Sequence, residues 1–130
     1  DMMLMTPTER EARLAVHDFD SGLVVLAEKL CKKAQSKNII LTLGSEGLII
    51  HAASNKNKII TDRLSGFNTA PKDITGAGDS LFASSSMALA VGANIWLSTY
   101  LGSIAAACQV SRVGNTPLST QDIELELLSD

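Results

Sequence analysis

The chain has 130 residues, 45 % of them hydrophobic, which is enough for a folded core in one domain and too apolar for a disordered chain. Its 11 Lys and Arg against 14 Asp and Glu give a formal net charge of -3, so no basic field favours nucleic acid or an anionic membrane. The two cysteines, Cys31 and Cys108, lack CxxC or Cys/His spacing, which argues against zinc and redox motifs and for a reduced, cytoplasmic setting.

The opening DMMLMTPTER is too short an apolar run for a signal peptide, and no later stretch approaches the roughly 18 to 20 apolar residues of a membrane span. Because the first residue is Asp1, a processed or excised piece of a longer protein is expected. The run Met2 to Thr6 reads as a short buried strand with Met2, Met3 and Met5 as core. Pro7 and the polar cluster Thr8 to Glu11 then suit a helix start. From Asp20, the spacing of Leu23, Leu26, Ala27, Leu30 and Ala34 predicts an amphipathic helix capped by Asp20 or Ser21, with Lys32, Lys33 and Lys37 near its C-terminal dipole end.

Next, NIILTL (Asn38 to Leu43) predicts a strand buried on both faces of a parallel sheet. The turn GSEG and the return GLIIHAA follow, and the polar tract SNKNK predicts a hairpin loop into a third strand, Lys58 to Leu64. A helix from Gly76 to Val91, stopped by Gly92, precedes another capped by Asn94, started by Trp96 and running to Gly114. Both are rich in Ala, Ser and Gly and are expected to be the most buried helices. A last helix capped by Ser119 or Thr120 closes the chain. Strands with covering helices predict an α/β fold, with neither repeat nor internal boundary.

The segment KDITGAGDS, Lys72 to Ser80, places bare backbone between two carboxylates at a helix start. First-turn N–H groups have no internal partner and carry the positive end of the dipole, so they bind anions. Glycines at 76 and 78 remove side chains that would keep a phosphate away, and Asp79, about one turn along, is placed to accept a proton from a hydroxyl. The plainer reading is a tight glycine loop with a dipole-favoured aspartate, and Lys72 as a solvated charge. A dinucleotide fingerprint is disfavoured, since its third glycine position falls on Leu81, and nothing matches GxxxxGK[ST]. The isolated His17 and His51 read as surface or core histidines rather than ligands.

DITGAGDS resembles the DTTGAGD-type signature of the ribokinase-like, or PfkB, carbohydrate kinases. LTLGSEG (Leu41 to Gly47) is similar to that family's T-x-G-x-x-G turn, and AAACQVSRVGNTPLS (Ala105 to Ser119) to its closing helix and glycine loop. TPTEREA (Thr6 to Ala12) resembles its TPNxxE motif, with Thr8 in place of Asn. The resemblance implies a three-layer ribokinase-like α/β/α fold in which residues 1–130 form a single C-terminal portion. It implies ATP, Mg²⁺ and, in many members, K⁺. Asp79 would be the catalytic base and Gly76, Ala77 and Gly78 the anion hole. Thr42, Gly44, Gly47, Gly78 and Ser103 would flank the nucleotide, with Gly102-Ser103 standing where an Asn often sits. Glu11 would act near Mg²⁺, and Asp73, Thr75 and Gly114 near a monovalent cation.

The opening and ending look most like the heptose-phosphate kinase module of ADP-heptose synthases. The expected partner is a small sugar or sugar phosphate, with no nucleic acid and no membrane, and an unpaired sheet edge would be compatible with a homo-oligomer. Without the sugar-binding half that family members carry, the isolated chain is expected to be inactive. The rival expectation is a non-catalytic nucleotide-binding or assembly module of the same fold.

Overall fold

A computed structural model describes residues 2–53, 58–68 and 70–129. The chain divides into two compact units, Asp1–Ser65 and Gly66–Asp130. Among the described residues no helix is long and apolar enough to cross a membrane.

In the first unit, helices α1 (Glu9–Val16) and α2 (Leu23–Ala34) precede strands β1 (Asn38–Thr42), β2 (Leu48–Ala53) and β3 (Ile59–Leu64). The sheet has the order β1-β2-β3, antiparallel throughout, with Ile40 opposite Ile50 and Ile50 opposite Asp62. β1 is buried on both faces, as its continuous apolar run predicts, but its ladder partner β2 is antiparallel. The parallel neighbour is the N-terminal segment, which forms isolated bridges at Met2 with Ser36, Met5 with Ile39 and Thr8 with Thr42. The expected N-terminal strand is therefore present only as single bridges, and Met2 and Met3 are exposed while Leu4 is buried. Between Met5 and Thr8 the pairing is interrupted at Pro7, which has no N–H to donate. The predicted hairpin loop SNKNK falls mostly on residues 54–57, which lie outside the described residues.

The apolar stripe of α2 packs as its spacing predicts. Leu26 and Leu30 join Ala12, Ile39, Leu41 and Ile49 in one cluster, flanked by Met5, Val16, Leu23, Cys31 and Leu43. The cap of α2 differs from expectation: Gly22 occupies that position without a side-chain bond. Asp18 Oδ1 takes the N–H groups of Asp20 and Ser21 at 3.2 and 3.0 Å, while Arg13 donates to the carbonyls of Asp18 and Ser21. Both predicted caps are thus held in the loop after α1, and the helix begins beyond them.

The second unit holds α3 (Ala77–Ala90), α4 (Ile95–Val110) and α5 (Thr120–Ser129). Asn94 caps α4 by accepting from the Leu97 N–H at 2.9 Å, as predicted. The helix stops four residues short of Gly114, because the Ser111 hydroxyl donates to the Cys108 carbonyl at 2.7 Å and turns the chain. α4 is the most buried helix, whereas α3 buries only Leu81, Ser85 and Ala88. The two approach closely at Gly102, where an added Cβ would meet Ser85 Oγ and stand 2.8 Å from the Leu81 carbonyl. Such an approach is what small residues permit. α5 is tied to the end of α4 by an Arg112–Asp122 ion pair of 2.8 Å.

Candidate active site

The turn before α3 is shaped by its own unit. Phe67 sets its ring edge-on to Tyr100, with centroids 5.3 Å apart, and Asn68 donates to the Ala107 carbonyl at 3.4 Å. The N–H groups of Lys72 and Asp73 both reach the Val110 carbonyl, at 2.8 and 3.3 Å. The chain therefore arrives at the turn anchored to the end of α4.

Gly76 caps α3 in the left-handed region, φ +79°, a conformation that costs other residues about 1–2 kcal/mol. The first helical bond runs from the Ser80 N–H to the Gly76 carbonyl at 2.9 Å. Ala77 N–H is turned aside, donating to the Ile74 carbonyl at 3.3 Å. The N–H groups of Gly76, Gly78 and Asp79 have no acceptor among the described residues. Of the three residues expected to form an anion hole, Gly76 and Gly78 keep free donors, and Asp79 supplies the other. The Asp79 side chain, at the third position of the helix, is exposed and makes no hydrogen bond among the described residues. An anion at the helix start would thus meet free donors beside a free carboxylate, at the positive end of the helix dipole.

Asp73 has a different task from Asp79. Its Oδ1 accepts the Thr75 N–H at 2.9 Å and its Oδ2 the Gly114 N–H at 3.0 Å. The Thr75 side chain and N–H, with the Gly114 N–H, hold its carboxyl below the usual aspartate range. Gln109, 2 % exposed, reaches the same loop: its Nε2 donates to the Gly114 carbonyl at 3.3 Å and lies 3.5 Å from Asn115 Oδ1. Asn115 Oδ1 in turn closes over the turn, since a Cβ on Gly76 would come within 2.5 Å of it. Sequence reading overlooked Gln109 and Asn115. The available signal was a lone amide among the small apolar residues of AAACQV, a position that demands a buried partner.

The first unit gathers a second group of the expected residues. A cleft of about 440 Å³ is lined by Thr8, Glu9, Arg10, Arg13, Phe19, Thr42, Leu43 and Gly44. The two sequence motifs around Thr8 and Thr42 thus share one cleft, to which Arg10, Arg13 and Phe19 were not foreseen contributors. Thr42 is fixed by its N–H and hydroxyl, both directed to the Pro7 carbonyl at 2.9 and 3.4 Å. Gly44 and Gly47 have φ of +63° and +92° and bracket a single 3₁₀ turn, closed by Leu43 N–H to the Gly47 carbonyl at 2.8 Å.

Glu11 closes a capping box: its Oε2 accepts the Thr8 N–H at 2.8 Å, while Thr8 Oγ1 accepts the Glu11 N–H at 3.2 Å. These bonds lower its pKa, so it is ionised at neutral pH with one oxygen unengaged among the described residues. No group of three or more His, Cys, Asp or Glu side chains that could hold a metal is found among the described residues. The single carboxylate of Glu11 is of the kind Mg²⁺ takes, since that ion commonly keeps its waters and binds only one or two carboxylates. Ser103 is buried in α4, and its hydroxyl has no partner among the described residues.

The family model of pfkB family carbohydrate kinases matches residues 2–122. The chain belongs to this family. Among curated relatives, it is 30 % identical over 127 residues to the bifunctional protein HldE of Sulfurimonas denitrificans, covering 93 % of this chain and 25 % of that protein. It is 32 % identical over 124 residues to HldE of Helicobacter hepaticus, covering 92 % and 24 %. The chain thus spans about a quarter of the length of these relatives. A solved ribokinase from Thermotoga maritima superimposes with a TM-score of 0.80 at 28 % identity, over 96 % of this chain and 42 % of that one. Phosphofructokinase-2 from Escherichia coli in complex with potassium gives 0.83 at 17 % identity, over 99 % and 41 %, a likeness of fold. The pfkB chain therefore has the ribokinase-like α/β fold.

Proposed function

We propose that this pfkB chain is the C-terminal portion of an ATP-dependent carbohydrate kinase domain, cytoplasmic and dependent on Mg²⁺. Its residues 1–130 form a single portion whose transfer chemistry resides in the turn Gly76–Asp79. The observation that carries the reading is the free carboxylate of Asp79 beside the unengaged N–H groups of Gly76, Gly78 and Asp79. Asp79 accepts the proton of the acceptor hydroxyl as that oxygen becomes a nucleophile. The backbone donors hold the negative oxygens of the group in flight, where fixed dipoles are most effective.

Bound ATP supplies the phosphoryl group, with Mg²⁺ neutralising its charge. Thr42, Gly44 and Gly47 would flank the nucleotide, and Glu11 would act near the metal's water shell; Ser103, expected beside them, is buried in α4. The acceptor is a sugar or sugar phosphate. A heptose phosphate is favoured by the HldE relatives, among them those at 30 % and 32 % identity. The isolated chain is inactive on this reading, because phosphoryl transfer is mostly positioning of acceptor and phosphate. Replacing Asp79→Asn in the full-length protein removes turnover and leaves ATP binding intact. Turnover near that of the parent protein would remove Asp79 from the base role and leave a nucleotide-binding module.

A further inference from the structure

We infer that the side-chain amide of Gln109 takes the place of a monovalent cation beside the turn, so that this chain shapes its phosphate-binding loop without potassium. The inference rests on the reading of Gly76–Asp79 as the phosphoryl-transfer turn. A potassium ion there would need oxygens from Asp73, Thr75 and the Gly114 loop, and those of Asp73 and Gly114 already face N–H donors. Asp73 Oδ1 accepts from Thr75 and Oδ2 from Gly114, at 2.9 and 3.0 Å. The Val110 carbonyl receives the N–H groups of both Lys72 and Asp73. The Gly114 carbonyl receives Gln109 Nε2 at 3.3 Å.

The orientation of that amide is fixed by chemistry. Gly114 presents an oxygen that only accepts, so the nitrogen of Gln109 faces it; the opposite flip would set two oxygens against each other. An amide N–H₂ carries partial positive charge, so it does electrostatically what a cation would do at the same oxygen. It also repels one that tried to bind there. Because Gln109 is 2 % exposed, a cation that displaced its amide from Gly114 would leave a buried donor unpaired. The donors and acceptors present thus fit a built-in amide and do not fit potassium. Through Asn115 Oδ1, which closes on Gly76, the same amide holds the turn's shape. Gln109 acts through Gly114 and Asn115 and is a positioning residue.

The test compares the full-length protein in potassium chloride and in tetramethylammonium chloride at equal ionic strength. Two quantities are read: hydrogen exchange of the Gly114 N–H and the rate of phosphoryl transfer from ATP. The parent protein is expected to show the same exchange and rates within about twofold in both salts. Gln109→Ala is expected to exchange Gly114 faster in tetramethylammonium, and potassium should restore both protection and rate by about tenfold. Potassium slowing exchange or raising the rate tenfold in the parent protein would overturn the inference, as would a Gln109→Ala variant indifferent to the salt. If Gln109→Ala does not fold, the parent comparison alone decides. If the parent protein transfers no phosphate in either salt, the kinase reading fails, and the exchange comparison still decides the role of Gln109.

Discussion

Asp73 accepts, on Oδ2, the backbone N–H of Gly114 at 3.0 Å, and this bond ties the chain just before the turn Gly76–Asp79 to the loop that leaves α4. The bond depends on charge. Asp73 has a folded-state pKa below the usual aspartate value of about 3.9. Its contribution to stability is therefore fully present above that value and is lost as pH falls through the lower folded pKa. Exchange protection of the Gly114 N–H is expected to be flat at neutral pH and to fall in acid. Asp73→Asn should lower protection at neutral pH and flatten the acid response. A parent protein whose Gly114 protection responds to acid in the same way as that of the variant would exclude this linkage.

Gly102 tolerates no side chain. Its Cβ would meet Ser85 Oγ and the Leu81 carbonyl, and the carbonyl belongs to a helix that cannot yield. Gly102→Ala is expected to destabilise by about 1–3 kcal/mol in denaturant unfolding, the usual range for overpacking. The neighbouring Ser85 is fully buried, and its hydroxyl lacks a partner among the described residues. Ser85→Ala should therefore be neutral or stabilising, and it should recover part of the Gly102→Ala loss, leaving the clash with Leu81. A purely additive double variant would argue against direct contact.

Gly76 is constrained twice, by its φ of +79° and by Asn115 Oδ1 at 2.5 Å from a hypothetical Cβ. Gly76→Ala is expected to cost roughly 1–2 kcal/mol for the left-handed backbone alone, plus the displacement of Asn115. Adding Asn115→Gly removes the second part and not the first. Thermal unfolding of the single and double variants separates the two.

Thr8 caps α1, so Thr8→Ala should lower stability by about 1 kcal/mol. Asn caps as well as Thr, so Thr8→Asn should stay within a few tenths of a kcal/mol of the parent protein. Since Thr8 lines the cleft beside Thr42 and Gly44, the Asn variant alters what the cleft offers a ligand without loosening the helix. Chemical denaturation and nucleotide calorimetry on both variants check the two halves of the expectation.

Much of the fold is readable where one local rule dominates. The stripe Leu26, Ala27 and Leu30 lies buried as its spacing requires, and Asn94 and Gly92 mark helix ends correctly. The reading fails where a distant partner decides. Asp20 and Ser21 look like caps until Asp18 of the same loop takes their N–H groups and Arg13, on α1, takes the Ser21 carbonyl. β1 looks parallel because burial on both faces is usually a parallel feature, yet β2 returns beside it through a tight turn. At the site, TGAGD announces free backbone donors from its glycines. Which N–H is turned away, that of Ala77, depends on the Ile74 carbonyl and is invisible in the motif. Gln109 was passed over because a single amide in an alanine-rich helix carries no periodic signal.

The polar contacts that shape the turn Gly76–Asp79 come from two segments of one unit, Lys72 to Thr75 and Gln109 to Asn115. On the reading proposed above, the named contacts that shape the transfer turn are therefore local to its own unit. A lineage of such proteins could exchange one acceptor sugar for another by altering distant loops, and the machinery of transfer would pass unchanged from each specificity to the next.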